Sequence, residues 1–385
     1  MKRLKQALSL GMAGVMMTAA PVTAFAASPE FSRSAEEWAK LRDNTIEYDE
    51  LEGLIQEYNA TVQTNNLDLA EFKRKYGDTK DDVSSKYRDM ADEIYSSITY
   101  PDSDEMTYGM MVGSVVMAEV QAKNMEQQAD DNLQDSEIVY LNYKSAEKTL
   151  VTVAQSNMIS YEKDQLALKQ AELAKRQAGI AQTHASLGMS TEVDVLNAKE
   201  SIQNADRNVE SSKAAIENVR QKLQVMLGWK YNDTPEITEV PASDMSRIAA
   251  MDPAADKDQA LENNYTLKVN KKKLANATSD NTKESLQKTI EDNERKIGSA
   301  LVTNYQNVLT AKLAYDQAEA NLELAKRNLN SLQLQFAQGK ASRNQLENQQ
   351  ITVENAELSL KTADLTLFQT METYDWAVNG LASTS

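Results

Sequence analysis

The sequence predicts an all-α protein of two pseudo-repeated halves, each a long antiparallel helical hairpin of coiled-coil type. Three observations predict it. Only 12 Gly and 6 Pro occur in 385 residues, and straight-chain residues of good helix propensity dominate the rest. A stretch recurs without a gap 151 residues further on: Glu172-Leu173-Ala174-Lys175-Arg176 returns as Glu323-Leu324-Ala325-Lys326-Arg327, and the offset holds for Gly188 with Gly339. Self-similarity at a fixed offset is the mark of a repeated unit. After the first of these glycines, Val195, Ile202, Val209, Ile216 and Leu223 fall at sevens, with Ala198, Ala205, Ser212, Val219 and Met226 three positions after each. Sustained sevens imply helices wrapped in a left-handed coiled coil.

Taken in order, residues 1–26 form a secretory signal peptide. Lys2, Arg3 and Lys5 precede the apolar run Ala7 to Ala20, and Ala24-Phe25-Ala26 supplies a small-residue cleavage site. That run falls short of the roughly 20 residues a membrane-spanning helix needs. Cleavage leaves 38 Lys and Arg against 58 Asp and Glu, a charge of −20. Nucleic acid would be repelled by such a chain. With no cysteine, disulfides and thiol chemistry are excluded.

The first half, 35–228, opens with helical spacing at Leu51, Leu54, Ile55, Tyr58 and Val62, and Gly77-Asp78 interrupts a charged helix that runs to Ser97. Around Tyr100-Pro101-Asp102 the chain turns. One long helix is then expected from about Met110 to Leu187, irregular near Asp130-Asp131. Gly188-Met189-Ser190-Thr191 breaks it, and Ser190 or Thr191 caps the next helix, which stops at Gly228. Residues 229–258, with Pro235, Pro241 and Pro253, read as a connector. The second half, 259–380, repeats the plan: a long arm to Gln338 with relief at Asn276 to Asn281, a break at Gly339-Lys340-Ala341-Ser342, and a last helix ending at Asn379-Gly380. Its seam is Leu346, Val353, Leu360 and Leu367, offset by Gln349, Ala356, Ala363 and Thr370.

These features resemble the TolC family of outer-membrane efflux proteins. Two halves of like plan, a Gly turn followed by a helix with Ala on its inner face, and Leu227-Gly228 closing the first such helix carry the resemblance. So do Ala260-Leu261-Glu262-Asn263-Asn264 and Leu54 to Val62 with Asn59, as the openings of the two halves. The resemblance implies an α-barrel protomer that assembles as a trimer and works with an adaptor protein and an inner-membrane exporter. It also implies that the two tips, Gly188, Met189, Ser190, Thr191 and Gly339, Lys340, Ala341, Ser342, dock onto the adaptor. The constriction positions it implies are Asp194, Gln345 and Asn348; only Asp194 is acidic, so a full carboxylate ring is not expected.

The chain departs from the family where each half should supply two membrane β-strands. Alternating segments of roughly 10 residues with aromatic girdles would mark them; Lys268 to Lys296 has helical spacing instead, and Ile98 to Val116 is too short for two. The expectation is therefore the helical part of such a tube without a transmembrane β-barrel, and with no membrane span once the leader is cleaved.

No phosphate loop, metal-spaced His or Cys set or nucleophile motif is present, so the chain reads as no enzyme and as needing no cofactor or metal. His184, the single histidine, reads as a surface or interface residue. Met106, Met110, Met111, Met117 and Met125 beside Val112, Val115 and Val116 read either as packing or as a flexible contact surface. Two functions stand beside each other: an exported conduit or docking component of an efflux or secretion system, and a coiled-coil spacer or adhesin-like protein of the cell envelope.

Overall fold

The computed structural model describes residues 33–100, 108–184, 191–230 and 232–384. The expected signal peptide lies outside these residues. The first helix, α1 (Ala35–Leu41), begins where Ser34 and Glu37 form a reciprocal capping box, and it buries Trp38 and Leu41. A two-residue strand, β1 (Thr45–Ile46), pairs in parallel with β2 (Glu236–Ile237), the only sheet among the described residues. This pairing fastens the start of the chain to the stretch that joins the two hairpins.

Helices α2 (Leu51–Tyr58) and α3 (Ala60–Tyr76) meet at Asn59, whose side chain caps α3. Gly77, at φ 87°, ends α3, and α4 (Lys80–Ser97) and α5 (Tyr108–Asp131) follow as an antiparallel pair. Ties between them run from Arg88–Asp130 to Tyr95–Glu126 to Tyr100–Glu119. Then come the first long hairpin, α6 (Ser136–His184) with α7 (Glu192–Met226), and the short helices α8 (Met245–Ala250), α9 (Lys257–Asn263) and α10 (Tyr265–Asn276). The second long hairpin is α11 (Asp280–Ala337) with α12 (Arg343–Trp376). At 58 residues, α11 is about 87 Å long at about 1.5 Å per residue. A π turn, Ala377–Leu381, closes the chain with Gly380 at φ 109°.

The two long hairpins share one register. Lys175 of α6 pairs with Asp206 of α7 at 2.6 Å, and Lys326 of α11 pairs with Glu357 of α12 at 3.1 Å. Along α7, the ten residues read as a seam are the inward ones: Ala198, Ala205, Val209 and Leu223 are buried, and the other six half-buried. Side by side the helices run α7, α6, α12, α11, so α6 and α12 are covered on two sides and α7 and α11 on one. At the hairpins' base, Tyr48, Leu51, Leu54, Ile55, Met158 and Phe368 form one core, and Leu267, Ile297, Leu301, Leu367, Met371 and Tyr374 another. Each fully buried Leu or Ile contributes about 1.5–3 kcal/mol relative to an exposed one, so this base is where the layers are fixed.

Four sequence expectations are corrected. The single helix from Met110 to Leu187 is two, because Asn132 and Asp135 offer the backbone side-chain partners that compete with helix. The Asn132 Oδ1 accepts from Gln134 N–H at 3.0 Å and Asp135 Oδ1 from Ile138 N–H at 2.9 Å. The break thus separates a distinct α4–α5 hairpin from α6. The second arm is three helices: residues 277–279 interrupt it where relief was expected, at Asn276 to Asn281, and the cap Asn264 interrupts it where none was. The connector, read as without sustained periodicity, holds β2 and α8, and helix resumes at Lys257, near the expected Gln259. Finally, α12 has a second inward row, Ile351, Leu358 and Leu365, since α6 covers it on the side away from α11. Where membrane strands would stand, the described residues hold helices: α10 and α11 across Lys268 to Lys296, and the start of α5 before Val116. No described helix is long and apolar enough to cross a membrane.

Candidate functional site

The second tip is a turn made by two local motifs. At the end of α11 the Gly339 N–H donates to Phe336 O at 2.9 Å and the Lys340 N–H to Gln335 O at 2.8 Å, the paired bonds of a Schellman motif. Gly339 takes φ 71° for it, yet a Cβ there would meet nothing within 4 Å. Ser342 then caps α12, its Oγ accepting from Gln345 N–H at 3.2 Å while Gln345 Oε1 accepts from Ser342 N–H at 2.8 Å. Gln345, expected at a constriction, is therefore occupied in holding the turn. Asn348 is half-buried and donates to Asn344 Oδ1 at 3.0 Å. Lys340 is exposed and Ala341 half-buried.

Of the first tip, Gly188, Met189 and Ser190 lie outside the described residues. Thr191 is exposed, and its carbonyl accepts from Val195 N–H at 3.2 Å as α7 begins. Asp194 lies in the first turn of α7 and His184 is the last residue of α6; their side chains are outside what is described, as is that of Met110, and Met106 lies outside altogether.

Two corners at the base hold the returning helices. The Asn59 side-chain amide donates to Met226 O at 2.8 Å, and that of Asn264 to Ala382 O at 3.0 Å. At each corner a glycine of positive φ is pressed against the opposing helix end. A Cβ on Gly228 would lie 2.6 Å from Tyr58 Cβ, and one on Gly380 would lie 2.6 Å from Asn263 O. Beside the corners, Arg247 pairs with Glu372 at 2.7 Å and with Asp375, and the Tyr48 hydroxyl donates to Glu372 at 3.1 Å. Burial is the main cause that pushes the Tyr48 phenol above its ordinary range, with the Glu372 carboxylate adding to it.

The repeated pentapeptide reveals a surface that sequence reasoning missed. Leu173 is 8% exposed, whereas its counterpart Leu324 is 57% exposed and Ala325 is buried in its place. Arg176 reaches across to Glu354 of α12 at 2.6 Å; its counterpart Arg327 folds back onto Glu323 of its own helix. The cause is position: α6 has neighbours on both sides and α11 has none beyond α12 along this stretch. Val302, Leu309, Leu313, Leu324 and Leu334 consequently form an uncovered apolar row along α11, with Leu313 69% exposed. The signal was legible, since Val302, Leu313 and Leu324 fall at strict elevens on the side opposite the buried Leu301, Val308 and Ala311.

Neither a protein-family model nor a curated protein matches the sequence. Solved structures do. The outer-membrane channel OprN is similar over 90% of this chain and 92% of its own, at 11% identity and a TM-score of 0.55. A membrane protein from Pseudomonas aeruginosa is similar over 96% and 99%, at 12% identity and a TM-score of 0.51. The Campylobacter jejuni CmeC outer membrane channel aligns over 97% and 95%, at 11% identity and a TM-score of 0.46. On the likeness to OprN the chain has the fold of a TolC-like channel protomer, all-α and with no closed barrel among the described residues.

Proposed function

We propose that this chain is the helical conduit or docking component of an efflux or secretion system, exported to the cell envelope after loss of residues 1–26. Residues 35–228 and 259–380 serve as its two halves and 229–258 as their connector. Three copies close a tube in which the α11 flank of one copy meets the α7 flank of the next. The tips, 188–191 and 339–342, dock an adaptor that leads to an inner-membrane exporter, and Asp194, Gln345 and Asn348 line the narrow end. It performs no covalent chemistry.

The observation that carries this reading is the apolar row of α11, a face some 30 residues long that the chain itself leaves in water. Large apolar side chains recurring along one bare helix face suit burial by a neighbouring helix, and a sheet of four helices with two bare flanks buries both only by closing on copies of itself. The similarity in fold to OprN supports it. Electron-microscope averages of the purified assembly viewed end-on test it: a ring with a central opening is expected, whereas solid rods would favour the envelope spacer.

A further inference from the structure

Helix α5 has two apolar rows of heptad spacing on opposite sides. Met111, Val115, Ala118, Ala122, Met125 and Ala129 form the row turned to α4, with Ala122 and Ala129 fully buried. Gly113, Val116 and Val120 form the other, flanked by Met117. This second row is uncovered: Met117 is 76% exposed and Val120 54%. The hairpin leaves the body at the ends of the long arms away from the tips. There Ser136 Oγ donates to Asp78 Oδ1 at 2.9 Å and Asn276 Nδ2 to Asp135 Oδ2 at 2.8 Å, drawing the α3–α4, α5–α6 and α10–α11 junctions together.

Charge identifies what covers the row. Steps of three and four residues set Gly113, Val116 and Val120 on one face that another helix can pack against. The only charge between Tyr108 and Ala122 is Glu119, and the Tyr100 hydroxyl of the opposing arm holds it at 2.9 Å. The uncovered row is therefore uncharged, and identical copies meet there without repulsion. The sequence just before α5 carries Asp102, Asp104 and Glu105, acidic groups that an anionic lipid surface would repel, and no described helix is long and apolar enough to cross a bilayer.

We infer that the uncovered row of α5 packs against the same row of α5 in the other copies, gathering the α4–α5 hairpins into a parallel helical bundle that extends the tube at the end away from the tips. This rests on the trimeric reading above. The hairpin then does with helices, at the place of the first pair of membrane strands, what those strands would do by closing a barrel.

The chain lacks cysteine, so a single introduced thiol reports the contact directly. In the full-length exported protein, Val120→Cys treated with copper phenanthroline is expected to give a covalent dimer in most of the chains. Ser114→Cys, exposed on another side of α5, is expected to give little. Sedimentation of the same samples separates the two readings. A Val120→Cys assembly that sediments as a trimer but stays uncrosslinked overturns the α5 bundle and leaves the conduit standing; a monomer that does not crosslink overturns both. Flotation with phosphatidylethanolamine–phosphatidylglycerol vesicles, lost on Val116→Glu with Val120→Glu, would also overturn the bundle, in favour of a lipid contact.

Discussion

Asn59 and Asn264 hold the same post at the two corners of the molecule. Each side-chain oxygen caps the helix that follows it, accepting from Thr61 and Val62 N–H in one case and from Leu267 N–H in the other. Each amide donates to a carbonyl at the end of the helix that returns from a tip, Met226 O and Ala382 O. One side chain thereby fixes both where a helix starts and where the hairpin's far arm comes back to rest.

Replacing Asn264, the more buried of the two, should be costly. Loss of a cap costs about 1 kcal/mol, and a buried carbonyl left without its donor costs a further 1–3 kcal/mol or so. Asn264→Ala is expected to lose about 2–4 kcal/mol in urea denaturation. Asn264→Asp keeps the capping oxygen and loses the donor, so a cost as large as that of alanine would show that the carbonyl contact dominates.

The glycines should separate by surroundings. Gly339 needs only its left-handed backbone, so Gly339→Ala is expected to cost about 1–2 kcal/mol. At Gly228 the same strain is joined by a clash with Tyr58, and the expected loss is about 3 kcal/mol or more. Thermal melts of the two variants side by side check the order; equal shifts would contradict the crowded corner.

Glu162 gives a pH dependence. Its Oε2 accepts from Val240 N–H at 2.7 Å, yet burial outweighs that bond and holds the carboxyl above its ordinary range. A carboxyl so shifted favours the fold at low pH, and this contribution is lost as pH rises through the folded value. Glu162→Gln, neutral throughout, should therefore melt higher than the parent at pH 7, with the gap closing toward pH 4. A gap that widens on acidification would reverse the sign.

The seam of α7 was legible because its ten residues face one neighbour and form a single seam of two paired rows of sevens. Helix α12 faces two neighbours, and only the row shared with α11 was read; Ile351, Leu358 and Leu365 form another row of sevens beside it. The end of α5 was legible only as an irregularity near Asp130-Asp131, because what separates α5 from α6 is hydrogen bonding by Asn132 and Asp135. Nor does identity of sequence reveal covering: Leu173 and Leu324 sit in the same five residues and differ in what stands beside them. The second tip was legible as a turn, through Gly339 and Ser342, but the capping duty of Gln345 emerged only from its bonds to Ser342.

The central claim is that the bare α11 row is the contact between copies, and the solution mass tests it most directly. Sedimentation equilibrium across a concentration series should give three times the chain mass for the parent. Leu313→Glu should give the single-chain mass with an unchanged far-ultraviolet circular dichroism spectrum, since Leu313 touches no core. A parent that stays monomeric throughout, or a Leu313→Glu variant that assembles as the parent does, would contradict the account.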